Sequence, residues 1–256
     1  MQLGETVTAG VVVIGNEILS GRTQDKNLGW LAAELTGIGI RLAEAKVIPD
    51  IAATVIATLQ DYSARFDYVF TTGGIGPTHD DITAACVAEA FGCRLIRDPR
   101  AVQLLDMHYP TGQLTEARLK MADIPEGAEL IDNPVSAAPG FIVGNVHVMA
   151  GVPRIMQAMF DGLKPKLRGG AHVFSVTVTA RIGESFMAKG LEAVQKEHPD
   201  IDIGSYPFYR SGEVGSSIVL RSTDTAELAI AADKVRDVMR ALGVEPIEGE
   251  LPGKPG

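Results

Sequence analysis

The densest chemistry in this 256-residue chain falls in one stretch, Thr71–Thr83, which reads TTGGIGPTHDDIT. Gly73, Gly74 and Gly76 follow the apolar run Tyr68–Thr72 and precede a helical pattern. Glycine accepts positive φ and close backbone approach, so successive N–H groups can face one concavity, with the positive end of the next helix adding to the field. With Thr72 and Thr78 beside it, this turn has the composition of a phosphate cradle; a tight turn without a ligand is the simpler alternative. It is not a P-loop, because no Gly-Lys-Ser/Thr follows, and not a dinucleotide fingerprint, because His79 stands where the third glycine belongs.

Asp80 and Asp81 come next. In the first turn of a helix each would gain about 0.3–1 kcal/mol from the helix dipole, which accounts comfortably for one of them. Two carboxylates beside a phosphate repel it unless a cation lies between. The pair therefore points to a divalent metal of the Mg²⁺ class bridging carboxylate and phosphate oxygens. Gly15-Asn16-Glu17 follows an earlier strand pattern, and parallel strands deliver their C-terminal loops to one edge of a sheet. Glu17 can then share a cleft with Asp80 and Asp81. Ser20, Gly21 and Asn27 fall on the same side.

The elements that must hold these residues alternate. Val7–Ile14 reads as a strand buried on both faces, and Asp25 as the cap of a helix lined by Leu28, Leu31 and Leu35. Ile40–Ile48 reads as a strand, Asp50 as the N-cap of a helix facing inward through Ile51, Val55 and Leu59, and Tyr68–Thr72 as a third strand. Further on come helices from Pro99 and over Thr115–Met121, a hairpin around Gly144-Asn145, and a helix from Pro153. Such alternation implies right-handed crossovers and an α/β fold. After a linker near Lys164–Gly170 the period changes, and a βαββα order follows. The expected domains are residues 1–168, residues 171–244, and a Pro/Gly-rich tail over 245–256.

Composition excludes several classes. The chain has 23 Lys+Arg against 32 Asp+Glu, a net charge of −9, which disfavours nucleic acid and anionic membrane as partners. No apolar run approaches the ~18 residues needed to cross a bilayer. No basic-then-apolar leader opens the chain, and two cysteines are too few for a disulfide framework. A cytoplasmic protein without nucleic-acid or membrane partners is expected.

The ordered motifs also resemble a known family. Gly15-x-Glu17-Ile18-Leu19-x-Gly21, Asp25-x-Asn27 and Thr72-Gly73-Gly74-Ile75-Gly76-Pro77-Thr78-x-Asp80-Asp81 resemble the CinA-type branch of the MoaB/Mog molybdopterin-binding domains. Arg118-x-Lys120-x-Ala122, Asn133-Pro134-Val135, Ala138-Pro139-Gly140-Phe141 and Gly151-Val152-Pro153 agree in order and spacing. His79 within Gly-Pro-Thr-His-Asp-Asp is similar to the matching domain of animal FAD synthases, and Gly204-Ser205-Tyr206-Pro207 to the small KH-like domain that follows the CinA core. The deamidase domain of full-length CinA proteins is not expected here.

The resemblance implies a three-layer α/β/α core with a mostly parallel sheet, followed by a small α+β domain. It implies a metal-assisted pyrophosphatase of ADP-ribose- or FAD-like dinucleotides; a pterin binder linked to molybdenum-cofactor assembly and a silent interaction module are the alternatives. Carried over by position, Glu17, Asp80 and Asp81 are the catalytic and metal-holding residues, the metal being of the Mg²⁺, Mn²⁺ or Co²⁺ class. Thr72, Gly73, Gly74, Gly76 and Thr78 hold phosphate, with Asn27 and Lys120 as further substrate contacts. A homo-oligomer is expected. Gly212-x-x-Gly215 imitates an RNA-clamping loop but lies between strand patterns, in a region of nine Lys/Arg and thirteen Asp/Glu, so RNA binding is not expected.

Overall fold

The β-branched run Val7–Ile14 forms strand β1, in which Thr8 alone is not fully buried; a strand so apolar on both faces belongs inside a covered sheet. The computed structural model describes residues 6–210 and 213–249. One short helical turn, α1 (Asn16–Leu19), leads to helix α2 (Asn27–Gly37). Asp25 does start α2: its carboxylate accepts from the N–H groups of Asn27 (3.3 Å) and Leu28 (2.9 Å).

Strand β2 (Ile40–Ile48) lies parallel to β1; between its buried ends Ile40 and Ile48, exposed and half-buried residues alternate, as on an edge strand. Helix α3 (Ala52–Arg65) begins without the expected cap. Asp50 Oδ2 instead accepts from the Asn16 N–H at 2.8 Å, and Ile51 is exposed rather than inward-facing. The first amides of a helix have no intrahelical partner, so the open turn of α1 competes for the same carboxylate. Here it wins.

Strand β3 (Tyr68–Thr72) and helix α4 (Thr83–Ala90) flank the glycine-rich loop. Then follow β4 (Leu95–Arg97), α5 (Pro99–His108), α6 (Glu116–Leu119) and β5 (Asp123–Pro125), with β4 and β5 paired as a separate ribbon. The chain continues through β6 (Glu129–Ile131), β7 (Gly140–Val143), β8 (Val146–Met149) and α7 (Pro153–Leu163). The sheet order is β2-β1-β3-β8-β7-β6; the first four strands are parallel and the β6–β7–β8 pairings antiparallel.

Helices cover both faces. Val12, Ile14, Val69 and Val148 pack against Leu59, Tyr62, Val87 and Leu105 on one side. Val11, Val13, Phe70 and Met149 pack against Leu31, Leu35, Met156 and Phe160 on the other. At Gly10 the β1–β2 register shifts, and a Cβ there would lie 2.6 Å from both the Tyr62 and Phe66 rings. His147 is buried against Tyr68 and Phe70, with Nδ1 3.0 Å from the Asn145 carbonyl oxygen.

The chain divides between Gly170 and Ala171. The second unit comprises β9 (Phe174–Ala180), α8 (Glu184–Glu197), β10 (Asp202–Arg210), β11 (Glu213–Ser222), α9 (Thr225–Ala241) and β12 (Ile247–Glu248). Its sheet runs β10-β11-β9-β12, entirely antiparallel, and Val178, Ile218 and Leu220 pack against Met187, Leu228 and Val235 of its two helices. The expected tail after residue 244 is corrected here. Ile247 and Glu248 pair with Thr179 and Val178, and Arg236 grips the Glu248 carboxylate at 2.7 and 2.9 Å. A two-residue strand is too short to show a period in sequence. Residues 250–256 and Gly212 of the Gly212-x-x-Gly215 motif lie outside the described residues; the strands flanking that motif pair as a β-hairpin.

Two measurements test this packing. Gly10→Val must push the Tyr62 and Phe66 rings aside and should destabilise the core by about 1–3 kcal/mol, read as a lower midpoint in urea. Burial holds the His147 imidazole below its ordinary pKa. The unfolded chain therefore binds a proton near pH ~6.5 that the folded chain refuses, and stability should fall as pH drops below that value. His147→Phe should flatten the slope of unfolding free energy against pH across this window.

Candidate functional site

The loops after β1, β2, β3 and β8 leave one edge of the parallel sheet, and three of them crowd together at Gly73. Its φ is 107°, and a Cβ there would lie 2.2 Å from the Ile14 carbonyl oxygen. A Cβ on Gly151, just after β8, would stand 3.2 Å from Gly73 Cα. The Gly73 N–H donates to the Met149 carbonyl (3.2 Å), and its own carbonyl accepts from the Thr83 hydroxyl (3.1 Å). The Thr83 N–H closes on the Gly74 carbonyl at 3.0 Å. Thr83 thus pins the whole turn. Nothing in the sequence marks it except its place at the start of a helix.

Two recesses open on either side of this backbone. The first is bordered by Gly74, Ile75, Gly76, Asp81, Lys120 and Phe141. The amides of Gly74, Ile75 and Gly76 donate to no protein acceptor among the described residues. The Gly73 amide is engaged in the sheet, and the Thr78 amide donates to Asp81 Oδ2 at 2.8 Å. Between Gly73 and Thr78, the amides without a protein acceptor among the described residues are therefore those of Gly74, Ile75 and Gly76.

Asp80 and Asp81 do not sit in the first turn of a helix. Helix α4 starts only at Thr83, capped by Ile82, and both carboxylates fold back onto Thr78. Short polar side chains take such local turn bonds in competition with helix. Thr78 Oγ1 lies 2.5 Å from Asp80 Oδ1 and 2.6 Å from Asp81 Oδ2. One hydroxyl has one hydrogen, so only one of these carboxylates receives it. The Thr78 bond, with a smaller contribution from Lys120, holds the Asp80 carboxyl below the usual carboxylate range. Lys120 Nζ donates to the Thr78 carbonyl and ties the turn from below. At Gly76 a Cβ would come within 2.7 Å of Asp81 Oδ2.

Oxygen donors crowded around one hydrogen suit a hard divalent cation. Asp80, Asp81 and Thr78 fit such an ion. Glu17 does not join them, and among the described residues no three His, Cys, Asp or Glu side chains gather as a ligand set.

Glu17 belongs to the second recess, bordered also by Thr23, Lys26, Asn27, Thr72 and Gly151. Its carboxylate folds over Gly15, where a Cβ would meet Oε1 at 2.5 Å. Asp50 steadies this loop through the Asn16 amide. Asn27 Nδ2 donates to the Gly151 carbonyl at 2.7 Å, joining α2 to the loop after β8. Asn27 Oδ1 and Thr72 Oγ1 are buried without a partner among the described residues.

The residues singled out in the sequence are therefore divided. Gly74, Gly76, Asp81 and Lys120 border one recess, with Asp80 and Thr78 bonded to Asp81's side of it; Glu17, Asn27 and Thr72 border the other. Gly73 stands between. Pro139 and Phe141 wall the first recess, Gly151 and Pro153 the second, so these turn motifs shape the site as well as the chain.

Residues 10–169 match the family described as "Probable molybdopterin binding domain", and residues 172–247 match the FAD synthase middle domain. A protein of Aeropyrum pernix is 34% identical, over 95% of this chain and 96% of its own length. A CinA-like protein of Desulfosudis oleivorans is 33% identical over 68% of this chain and 45% of its own. The crystal structure of CinA from Thermoplasma acidophilum, a protein of unknown function, aligns with a TM-score of 0.59 at 33% identity, over 63% of this chain and 98% of that one. By sequence and by fold, the chain belongs to the molybdopterin binding domain family, in a CinA-type form whose core is followed by an FAD synthase-type middle domain.

Proposed function

We propose that the core is a metal-dependent pyrophosphatase acting on ADP-ribose- or FAD-like dinucleotides. One observation carries the reading: Asp80 and Asp81 converge on a single hydroxyl beside three amides that donate to nothing among the described residues. Amides alone would suit an anion, and carboxylates alone a cation. Their adjacency suits an anion that arrives with a cation. The match of residues 172–247 to the middle domain of FAD synthase supports a flavin dinucleotide as one substrate.

A divalent cation held by Asp80 and Asp81 would supply charge neutralisation at the pyrophosphate. The chain's own groups do the rest. The Gly74–Gly76 amides are fixed donors that need no reorganisation to receive a phosphate oxygen. Lys120 holds the Thr78 carbonyl, and with it the turn that carries both carboxylates. Phe141 and Pro139 shield one wall from water. The family description favours a second reading, a pterin held without turnover.

Hydrolysis of ADP-ribose and FAD, followed with and without Mg²⁺, Mn²⁺ or Co²⁺, tests the proposal. Turnover should vanish in EDTA and return with metal, and Asp80→Asn and Asp81→Asn should each lower kcat about a hundredfold or more. Undiminished turnover in EDTA would remove the reading; tight pterin binding without cleavage would favour the second. Gly76→Ala crowds the Asp81 carboxylate and should raise the metal concentration for half-maximal rate by about tenfold, with the melting temperature little changed.

A further inference from the structure

We infer that the recess formed by Glu17, Asn27 and Thr72 is a subsite for a ribose cis-diol, placed to take the sugar next to the pyrophosphate. The inference rests on the reading just given for the neighbouring recess, but its own evidence is separate. Asn27 is 4% and Thr72 1% exposed, and each has a polar atom, Oδ1 and Oγ1, with no partner among the described residues. A buried polar group left unpaired costs roughly 1–3 kcal/mol, so two bordering one recess indicate a group that completes them.

The hydrogen-bonding roles specify which group. Asn27 Nδ2 is committed to the Gly151 carbonyl, so the free end of the amide is its oxygen, an acceptor only. Glu17 adds a second acceptor. Thr72 can accept, yet its hydroxyl hydrogen also needs somewhere to go. A metal ion or an ammonium would satisfy the lone pairs and leave that hydrogen orphaned. A phosphate would accept it but face Glu17 and Asn27 oxygens with nothing to donate. Vicinal hydroxyls donate and accept together, and they meet all three demands.

Position agrees with chemistry. Thr72 borders this recess and Gly74 the other, two residues apart along one backbone, so the recesses share a wall only one residue thick. In a dinucleotide a ribose is the group bonded directly to the pyrophosphate. Lys26, exposed at the same recess and without a carboxylate partner among the described residues, complements a phosphate on the sugar.

Binding of D-ribose 5-phosphate and 2-deoxy-D-ribose 5-phosphate to the full chain, measured by NMR titration in EDTA, tests the subsite without metal or turnover. The ribo compound should bind at least about tenfold more tightly, because a site built for a hydroxyl rejects the analogue lacking it. Thr72→Val should abolish the preference and Thr72→Ser should keep it. Glu17→Gln, at an exposed residue, should narrow it even if Thr72→Val fails to fold. Equal binding of both sugars by the wild-type chain would overturn the inference, as would a preference that survives both Thr72→Val and Glu17→Gln. A diol preference in a chain that cleaves no pyrophosphate would leave the subsite standing and remove the hydrolase. Metal-dependent cleavage with no diol preference would do the reverse.

Discussion

The site depends on how closely backbone can approach backbone at Gly73. The ends of β1 and β3 and the loop after β8 meet there within contacts that leave no room for a Cβ at Gly73, 2.2 Å from Ile14 oxygen. A positive φ turns the chain away at that point, and the Thr83 hydroxyl takes the carbonyl that the turn leaves without a sheet partner. Gly73 is locked on both its N–H and its C=O, and the three amides after it donate to no acceptor among the described residues. The same locked residue separates two recesses of opposite character.

That opposition bears on the charge of the molecule. A chain of net charge −9 repels anions at long range, yet a field from fixed amides acts over the few ångströms that matter at contact. On one side of Gly73 the chain presents N–H donors next to a carboxylate pair; on the other it presents buried acceptors. The ligand proposed above, an anion with hydroxyls on its neighbouring group, would complement both, whereas a simple phosphate would meet only the first. Asp50 and Asn27 contribute without touching the first recess, by holding the Asn16 turn and the Gly151 loop where the second recess needs them.

Much of the architecture was legible because it rests on local rules. Val7–Ile14 and Tyr68–Thr72 are buried on both faces, and Asp25 caps the helix its position suggests. Local rules failed where two partners competed. Asp50 had a helix start beside it and an unpaired amide across the sheet edge, and only the folded chain brings that amide within reach. Asp80 and Asp81 had a helix dipole ahead and the Thr78 hydroxyl behind, and the hydroxyl is nearer. Strands of two or three residues, such as β12, carry no period and exist only through their partners.

By itself the sequence determined the order of the longer elements, the parallel sheet and the set of residues able to do chemistry, since composition, period and glycine spacing are properties of the chain alone. Only the tertiary structure decided how that set is partitioned. Glu17, Asp80 and Asp81 read as one metal-holding group in sequence because all three follow parallel strands. The fold sets Glu17 beside Asn27 and Thr72 instead, because whether loops on one edge share a cleft depends on what stands between them. Here a single glycine, held by hydrogen bonds from two directions, stands between.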